Sequence, residues 1–112
     1  MKIERGDVFL VEFDPTRGSE IQKTRPAVVI TNDLANIHSR IVTVVPLTSQ
    51  KTDRVLANEL FIGKPRGLTK ESKAKIEQLR AVDKSRLKER ISRLTPTQLQ
   101  DLSDILRLHL GL

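Results

Sequence analysis

Arg25 stands directly before Pro26, at the entrance to the apolar run Ala27-Val28-Val29-Ile30. The proline ring fixes its own φ and pushes Arg25 out of the α region, so the guanidinium projects from a rigid, extended strand start. The segment before it, Asp14-Pro15-Thr16-Arg17-Gly18-Ser19-Glu20, is rich in turn formers. A permanently charged fork of five donors beside a polar loop suits a phosphate. The same pair also serves as a plain surface charge beside a strand, and these residues alone permit both readings. Thr48 and Ser49 lie just past Pro46. Hydroxyls leaving a strand into Ser49-Gln50-Lys51-Thr52-Asp53-Arg54 can face a ligand or simply shape a turn. Arg25 and Thr48 share a sheet end only if the chain reverses suitably between them, which the sequence leaves open.

Other chemistries lack their residues. There is no cysteine, which removes disulfides, thiolate catalysis and cysteine-ligated zinc together. The two histidines, His38 and His109, lie far apart, the first in a polar stretch and the second in a C-terminal apolar-periodic segment. There a cation complements a helix dipole. No H-x-x-x-H, EF-hand or paired-aspartate spacing occurs, so no metal site is expected. Nucleophile-elbow, P-loop and G-x-G-x-x-G patterns are also missing, and no cofactor is expected.

The elements that must position Arg25 and Thr48 belong to a short chain. Its 112 residues predict one domain over residues 1–112. Apolar residues make up 38% and aromatics 3%, so the core must be built from Leu, Ile and Val, without an aromatic stacking platform for bases. The net charge is +6. Residues 1–67 hold ten Lys/Arg against eight Asp/Glu, and residues 68–112 hold ten against six. Such an excess attracts polyanions, nucleic acid foremost, through counterion release. It serves a merely solvated surface equally well. The start, Met1-Lys2-Ile3-Glu4-Arg5-Gly6-Asp7, is too charged for a signal peptide. No run approaches the ~20 apolar residues needed to span a bilayer. A soluble, cytoplasmic protein without membrane contact is expected.

Asp7 to Phe13 alternates with apolar residues on both faces, which predicts a central strand. Pro26 to Thr31 predicts a second strand, Ile41 to Val45 a third stopped by Pro46, and Leu56 to Ile62 a fourth closed by Gly63-Lys64-Pro65-Arg66-Gly67. Leu34 to Arg40 reads as a polar stretch. Lys73 to Val82 is ambiguous: its Lys, Glu and Arg content favours a helix, and its alternation permits a strand. Thr95-Pro96-Thr97-Gln98 forms a capping box with Pro at the first helical position. Leu99, Leu102, Ile105, Leu106 and Leu110 then make an apolar stripe, ended by Gly111. The expected fold is mainly β with a C-terminal helix (α+β), a partly open barrel.

Four stretches, in order, give the chain a resemblance: Gly6-Asp7-Val8 leading to Phe13-Asp14-Pro15 and Gly18-Ser19-Glu20; Lys23-Thr24-Arg25-Pro26-Ala27-Val28-Val29-Ile30-Thr31-Asn32; Val44-Val45-Pro46-Leu47-Thr48-Ser49; and Glu77 to Leu87. Their order and spacing resemble the MazF/PemK toxins of bacterial toxin–antitoxin pairs. The resemblance implies an SH3-like barrel that forms a homodimer and cleaves single-stranded RNA at short sequences without a metal. It implies an acidic, partly disordered antitoxin partner. It favours a strand over Lys73 to Val82. The family's central arginine and threonine match Arg25 and Thr48. Some relatives use a histidine where this chain has Ser19, and an arginine and an aspartate where it has Lys75 and Glu77, which leaves the proton-transfer partners open.

RNA supplies its own nucleophile, the 2′-hydroxyl, so the enzyme need only orient it, remove a proton and stabilise charge on the phosphorane. Arg25 and Thr48 suit the last task, and Glu77 or water the proton. Arg17 and Lys23 are candidates for flanking phosphates. Ser19, Glu20, Ser49 and Lys75 complete the candidate RNA-binding set, and Gln78 could read a base edge. Two alternatives use the same fold. A non-enzymatic inhibitor of DNA gyrase would resemble toxins that depend on an aromatic C-terminal end, whereas this chain ends His109-Leu110-Gly111-Leu112 without Trp. An RNA-binding module without catalysis is the other.

Overall fold

The computed structural model describes all residues, 1–112. Seven strands form one antiparallel sheet, with a short helix inserted and a longer one at the end. In chain order they are β1 (Asp7–Glu12), β2 (Thr24–Val29), α1 (Asp33–His38), β3 (Ile41–Thr48), β4 (Glu59–Gly63), β5 (Ser72–Lys75), β6 (Arg80–Asp83), β7 (Leu87–Arg93) and α2 (Pro96–Leu110). The strand order is β4-β5-β3-β2-β1-β7, with β6 also paired to β3. The two ends of that order do not pair, so the barrel stays open.

β1 is central, between β2 and β7, as its two apolar faces predict. Phe9, Val11 and Phe13 enter one core with Ala27, Val29, Val42 and Val44. Val8 enters a second core with Val28, Val45, Leu47 and Leu102. α2 covers this second core. Thr95 Oγ1 accepts from the Gln98 amide at 3.1 Å while Gln98 Oε1 accepts from the Thr95 amide at 3.0 Å. Leu102 is fully buried, and Leu99, Ile105 and Leu106 pack beside it. Leu110, expected in that stripe, is instead exposed. It sits in the last turn, one residue before Gly111 ends the helix at φ 71°.

β3 is the hub, and it departs from expectation. It runs through Pro46 to Thr48. Its first half pairs with β6, from Ile41↔Asp83 to Val44↔Arg80, and its last two residues pair with β5. Pro46 lies where β3 changes partner on that edge, so its missing N–H interrupts no ladder bond there. Lys73 to Val82 is neither a helix nor one continuous strand. A 3₁₀ turn at Ile76–Gln78 separates β5 from β6 and buries Ile76. The polar stretch after β2 contains α1, whose N-cap Asn32 accepts from the Ala35 amide at 2.9 Å. His38 therefore ends a helix rather than lying in a loop. Gly67 must remain glycine: its φ is 98°, and a Cβ there would meet the Ile91 carbonyl oxygen at 1.6 Å.

Candidate functional site

The antiparallel register answers the question that the sequence left open. β2 and β3 pair as Ala27↔Pro46, Val28↔Val45 and Val29↔Val44. Continued by two residues, the same register sets Arg25 opposite Thr48. The β3–β5 register sets Thr48 opposite Lys73. Arg25, Thr48 and Lys73 thus form one row across three strands, at one end of the sheet.

That row borders an open cavity of about 800 Å³, and only three of its 20 lining residues are hydrophobic. Its cations are Lys23, Arg25, Lys51, Lys70, Lys73 and Lys75, against one carboxylate, Glu20. Three loops contribute to the walls: Ser19 to Lys23 before β2, Ser49 to Lys51 after β3, and Leu68 to Lys70 before β5. Lys23 and Lys51, on the first and second of these, are the non-glycine residues with positive φ, 64° and 52°. Such conformations are uncommon outside glycine and concentrate where a site constrains the backbone.

Arg25 is exposed and Thr48 half-buried. Thr48 Oγ1 accepts from the Gln50 amide at 3.1 Å, which leaves its own O–H to donate into the cavity. Ser19, Glu20, Lys23, Ser49, Lys75 and Gln78, all expected at an RNA site, line the same cavity. Arg17 does not. It is exposed in the β1–β2 loop, where its amide donates to Glu20 Oε1.

Glu77 faces elsewhere. It lines a neighbouring cavity of about 530 Å³, together with Phe13, Ile21 and Arg80. Its carboxylate accepts from Asn58 Nδ2 at 3.3 Å and lies 3.6 Å from Lys75 Nζ. Gln78 borders both cavities, and its amide is already engaged. Nε2 donates to the Ser19 carbonyl at 3.1 Å, and Oε1 accepts from the Ile21 amide at 3.3 Å. In this arrangement Gln78 braces the loop wall. His38 and His109 are exposed on α1 and α2 and line neither cavity.

Two charged residues carry no motif in the sequence: Glu59 and Lys73. Both are buried, and their side chains pair at 2.9 Å. Glu59 also meets Lys75 Nζ at 3.4 Å and accepts from the Leu56 amide at 2.9 Å. The signal is weak because an inward Glu on an otherwise ordinary strand is visible only once its lysine partners are placed. Burial opposes ionisation of Glu59, but the Leu56 amide and the Lys73 and Lys75 ammonium groups outweigh it. They hold the carboxyl below its ordinary 4.5.

A carboxyl depressed in the folded state adds stability that is present above its unfolded pKa and is lost as pH falls through the folded value. Thermal melts from pH 7 to pH 3 should therefore show wild-type stability dropping on acidification below about pH 4.5, the ordinary glutamate value. Glu59→Gln should flatten part of that drop. Equal acid slopes in the two proteins would remove Glu59 from the account.

No group of three or more His, Cys, Asp or Glu side chains is arranged to hold a metal ion. No helix is long and apolar enough to cross a membrane. Residues 4–110 match the family of PemK-like, MazF-like toxins of type II toxin-antitoxin systems. Over 115 residues the chain is 37% identical to Endoribonuclease MazF9 of Mycobacterium tuberculosis (strain ATCC 25618 / H37Rv), with 98% of each chain covered. Its fold is similar to that of MazF from Deinococcus radiodurans, with a TM-score of 0.84, 22% identity, and 100% and 99% of the two chains covered. It is also similar to an endoribonuclease in complex with its cognate antitoxin from Mycobacterial species, with a TM-score of 0.80, 20% identity, and 97% and 95% covered. The family match and the relative's identity both run almost end to end, and the chain belongs to the PemK-like, MazF-like toxin family.

Proposed function

We propose that this toxin is a sequence-specific endoribonuclease that cleaves single-stranded RNA without a metal ion, using the substrate's own 2′-hydroxyl. One observation carries the reading: the β2–β3 register brings Arg25 and Thr48 together at the edge of a strongly basic cavity. The relative at 37% identity is named an endoribonuclease, which supports the same chemistry.

In this reading the 2′-oxygen attacks the adjacent phosphorus, the P–O5′ bond breaks, and the products are a 2′,3′-cyclic phosphate and a 5′-hydroxyl. Arg25 donates to the non-bridging oxygens as charge grows on them. A guanidinium is a poor proton carrier because it does not readily give up its proton, so its work is electrostatic. The Thr48 hydroxyl adds a neutral donor. Glu20 is the one carboxylate in the cavity lining, and proton removal from the 2′-hydroxyl falls to it or to water. Glu77, the carboxylate expected for that step, acts indirectly, holding Lys75 at the cavity's border. Lys23, Lys51 and Lys70 hold flanking phosphates.

The experiment is incubation with a long unstructured RNA, followed by mapping of the 5′ ends. Discrete fragments with a shared sequence at each cut support the proposal. A bound but intact RNA would make this a binding module, and inhibited gyrase would make it a poison of that enzyme.

The working unit in this reading is a homodimer. Leu34 and Ile37 on α1 are 71% and 70% exposed, and neighbouring Ile41 is 46% exposed, an apolar surface that a second copy would cover. Small domains bury limited area alone, and two-fold pairing is the commonest association. Light scattering at micromolar concentration should give about twice 12.7 kDa. A mass of one chain would count against the dimer.

The other partner is an acidic antitoxin segment that folds over the basic cavity. Alanine at Arg17, Lys23 and Arg25 together should weaken its binding at low salt. Unchanged affinity would separate the antitoxin site from the RNA site. With RNA as substrate, the place of action is the cytoplasm.

A further inference from the structure

We infer that Glu59 is a positioning residue whose buried carboxylate clamps the Ser49–Asn58 segment against the sheet, and that this clamp sets which RNA sites the Arg25–Thr48 cavity accepts. The geometry stands on the hydrogen bonds of Glu59 and Lys73 to the segment itself, and the substrate rests on the nuclease reading above.

Glu59 opens β4, and its side chain is 1% exposed. Burying a carboxylate is costly unless it is paired and hydrogen-bonded, and a well-packed apolar residue at such a position serves stability as well or better. What the charge does here is hold a loop. Glu59 Oε1 takes the Leu56 amide at 2.9 Å and Lys73 Nζ at 2.9 Å. Lys73 Nζ makes a second bond, at 2.7 Å, to the Arg54 carbonyl. Arg54 and Leu56 belong to no helix or strand, so one ion pair fastens two points of an otherwise irregular segment.

The restraint passes on toward the cavity. The Arg54 amide donates to the Lys51 carbonyl at 3.2 Å, closing a turn. Lys51 takes its positive φ in that turn, and Ser49, Gln50 and Lys51 line the cavity. Lys73 also faces Thr48 in the strand register, so the clamp is built on the same row that carries the site. With the clamp intact, the wall is ordered before RNA arrives. Without it, ordering must be met from binding energy, while Arg25 and Thr48 keep their places on strands.

The test is Glu59→Gln, which keeps the size and loses the charge. Trypsin cuts after Lys51 and Arg54 report the clamp directly, because the Arg54 carbonyl is the one Lys73 holds. Cuts after Arg17 and Lys23 in the other loop report general loosening. Loss of a charged buried hydrogen bond should raise cutting at Lys51 and Arg54 by about 10-fold or more, with Arg17 and Lys23 unchanged. On RNA the variant should show KM raised about 10-fold, kcat within about threefold, and additional cleavage sites. Unchanged trypsin cutting at Lys51 and Arg54, or an equal rise at all four positions, would overturn the proposal. So would a loss of kcat with KM and cleavage sites unaltered. If Glu59→Gln fails to fold, Glu59→Gln/Lys73→Met removes both charges together, leaves none unpaired, and must show the same trypsin contrast. If the wild-type protein leaves RNA intact, the nuclease reading fails and the trypsin contrast alone decides the clamp.

Discussion

Arg25→Ala is expected to lower the single-turnover rate of RNA cleavage by about 10²–10³-fold, the usual cost of removing one preorganised donor to a developing oxyanion. Stability should change by less than about 0.5 kcal/mol, because the side chain is exposed. That contrast follows from where the residue sits. Pro26 restrains the backbone at Arg25, so the proposed phosphate contact is made from a rigid strand start. Arg25→Lys should recover little, since one ammonium cannot reproduce a planar two-pronged donor. Thr48→Ala should cost about 10-fold, the worth of a neutral hydrogen bond, and Thr48→Ser should stay close to wild type. His38→Ala and His109→Ala should leave the rate unchanged, because both side chains lie away from the cavity. A dead yet folded histidine variant would refute the site, as would an Arg25→Ala protein cleaving at near wild-type rate.

Deleting the 2′-hydroxyl at the scissile nucleotide should abolish cleavage there altogether. The cavity holds no cysteine, and its hydroxyls, Thr48 Oγ1 among them, have no histidine within the lining to activate them. The proposed mechanism takes the nucleophile from the substrate, and a 2′-deoxy sugar cannot supply it. Binding should survive, because the cations of the lining address phosphates rather than sugars. A gel-shift titration alongside the cleavage assay separates the two. Strand scission at the deoxy position would mean that water attacks directly, and the roles given to Arg25 and Thr48 would have to be redrawn.

Arg25 and the apolar pattern that positions it are legible in the amino-acid sequence. The two-sided alternation in Asp7 to Phe13, the Arg25-Pro26 junction and the capping box at Thr95 are local signals, and each forms as expected. The elements that escape a sequence reading are those decided by partners distant along the chain. β7 carries Lys88, Glu89, Arg90 and Arg93, too charged to read as a strand. It lies at the sheet edge, where charged side chains are tolerated and useful, and pairs β1 through an irregular register. The break at Ile76–Gln78 is hidden because helix propensity and strand alternation are both present and neither describes a turn. α1 is hidden by its brevity, although Asn32 before Asp33 is an ordinary N-cap signal.

The site divides in the same way. Arg25, Lys23, Thr48 and Ser49 belong to two loop–strand junctions, and the antiparallel β2–β3 register is what brings those junctions together. Gln78 is expected from sequence as a base reader, but only the folded chain shows both ends of its amide bound to the β1–β2 loop. Glu77 stands next to it in sequence and lines only the neighbouring cavity, which Gln78 borders as well. Glu59 and Lys73 are separated by a loop and a strand end, and their pairing depends on the β4–β5 register.

The most direct test of the central claim is single-turnover cleavage, in excess EDTA, of an oligonucleotide with one ribonucleotide at a mapped cut site and deoxynucleotides elsewhere. Wild type and Arg25→Ala should be compared at equal occupancy. The account predicts that wild-type protein cuts this substrate at full rate, leaving a 2′,3′-cyclic phosphate and a 5′-hydroxyl, and that Arg25→Ala cuts it about 10²–10³-fold more slowly. Cleavage that stops in EDTA, products bearing a 5′-phosphate, or an Arg25→Ala rate equal to wild type would contradict it.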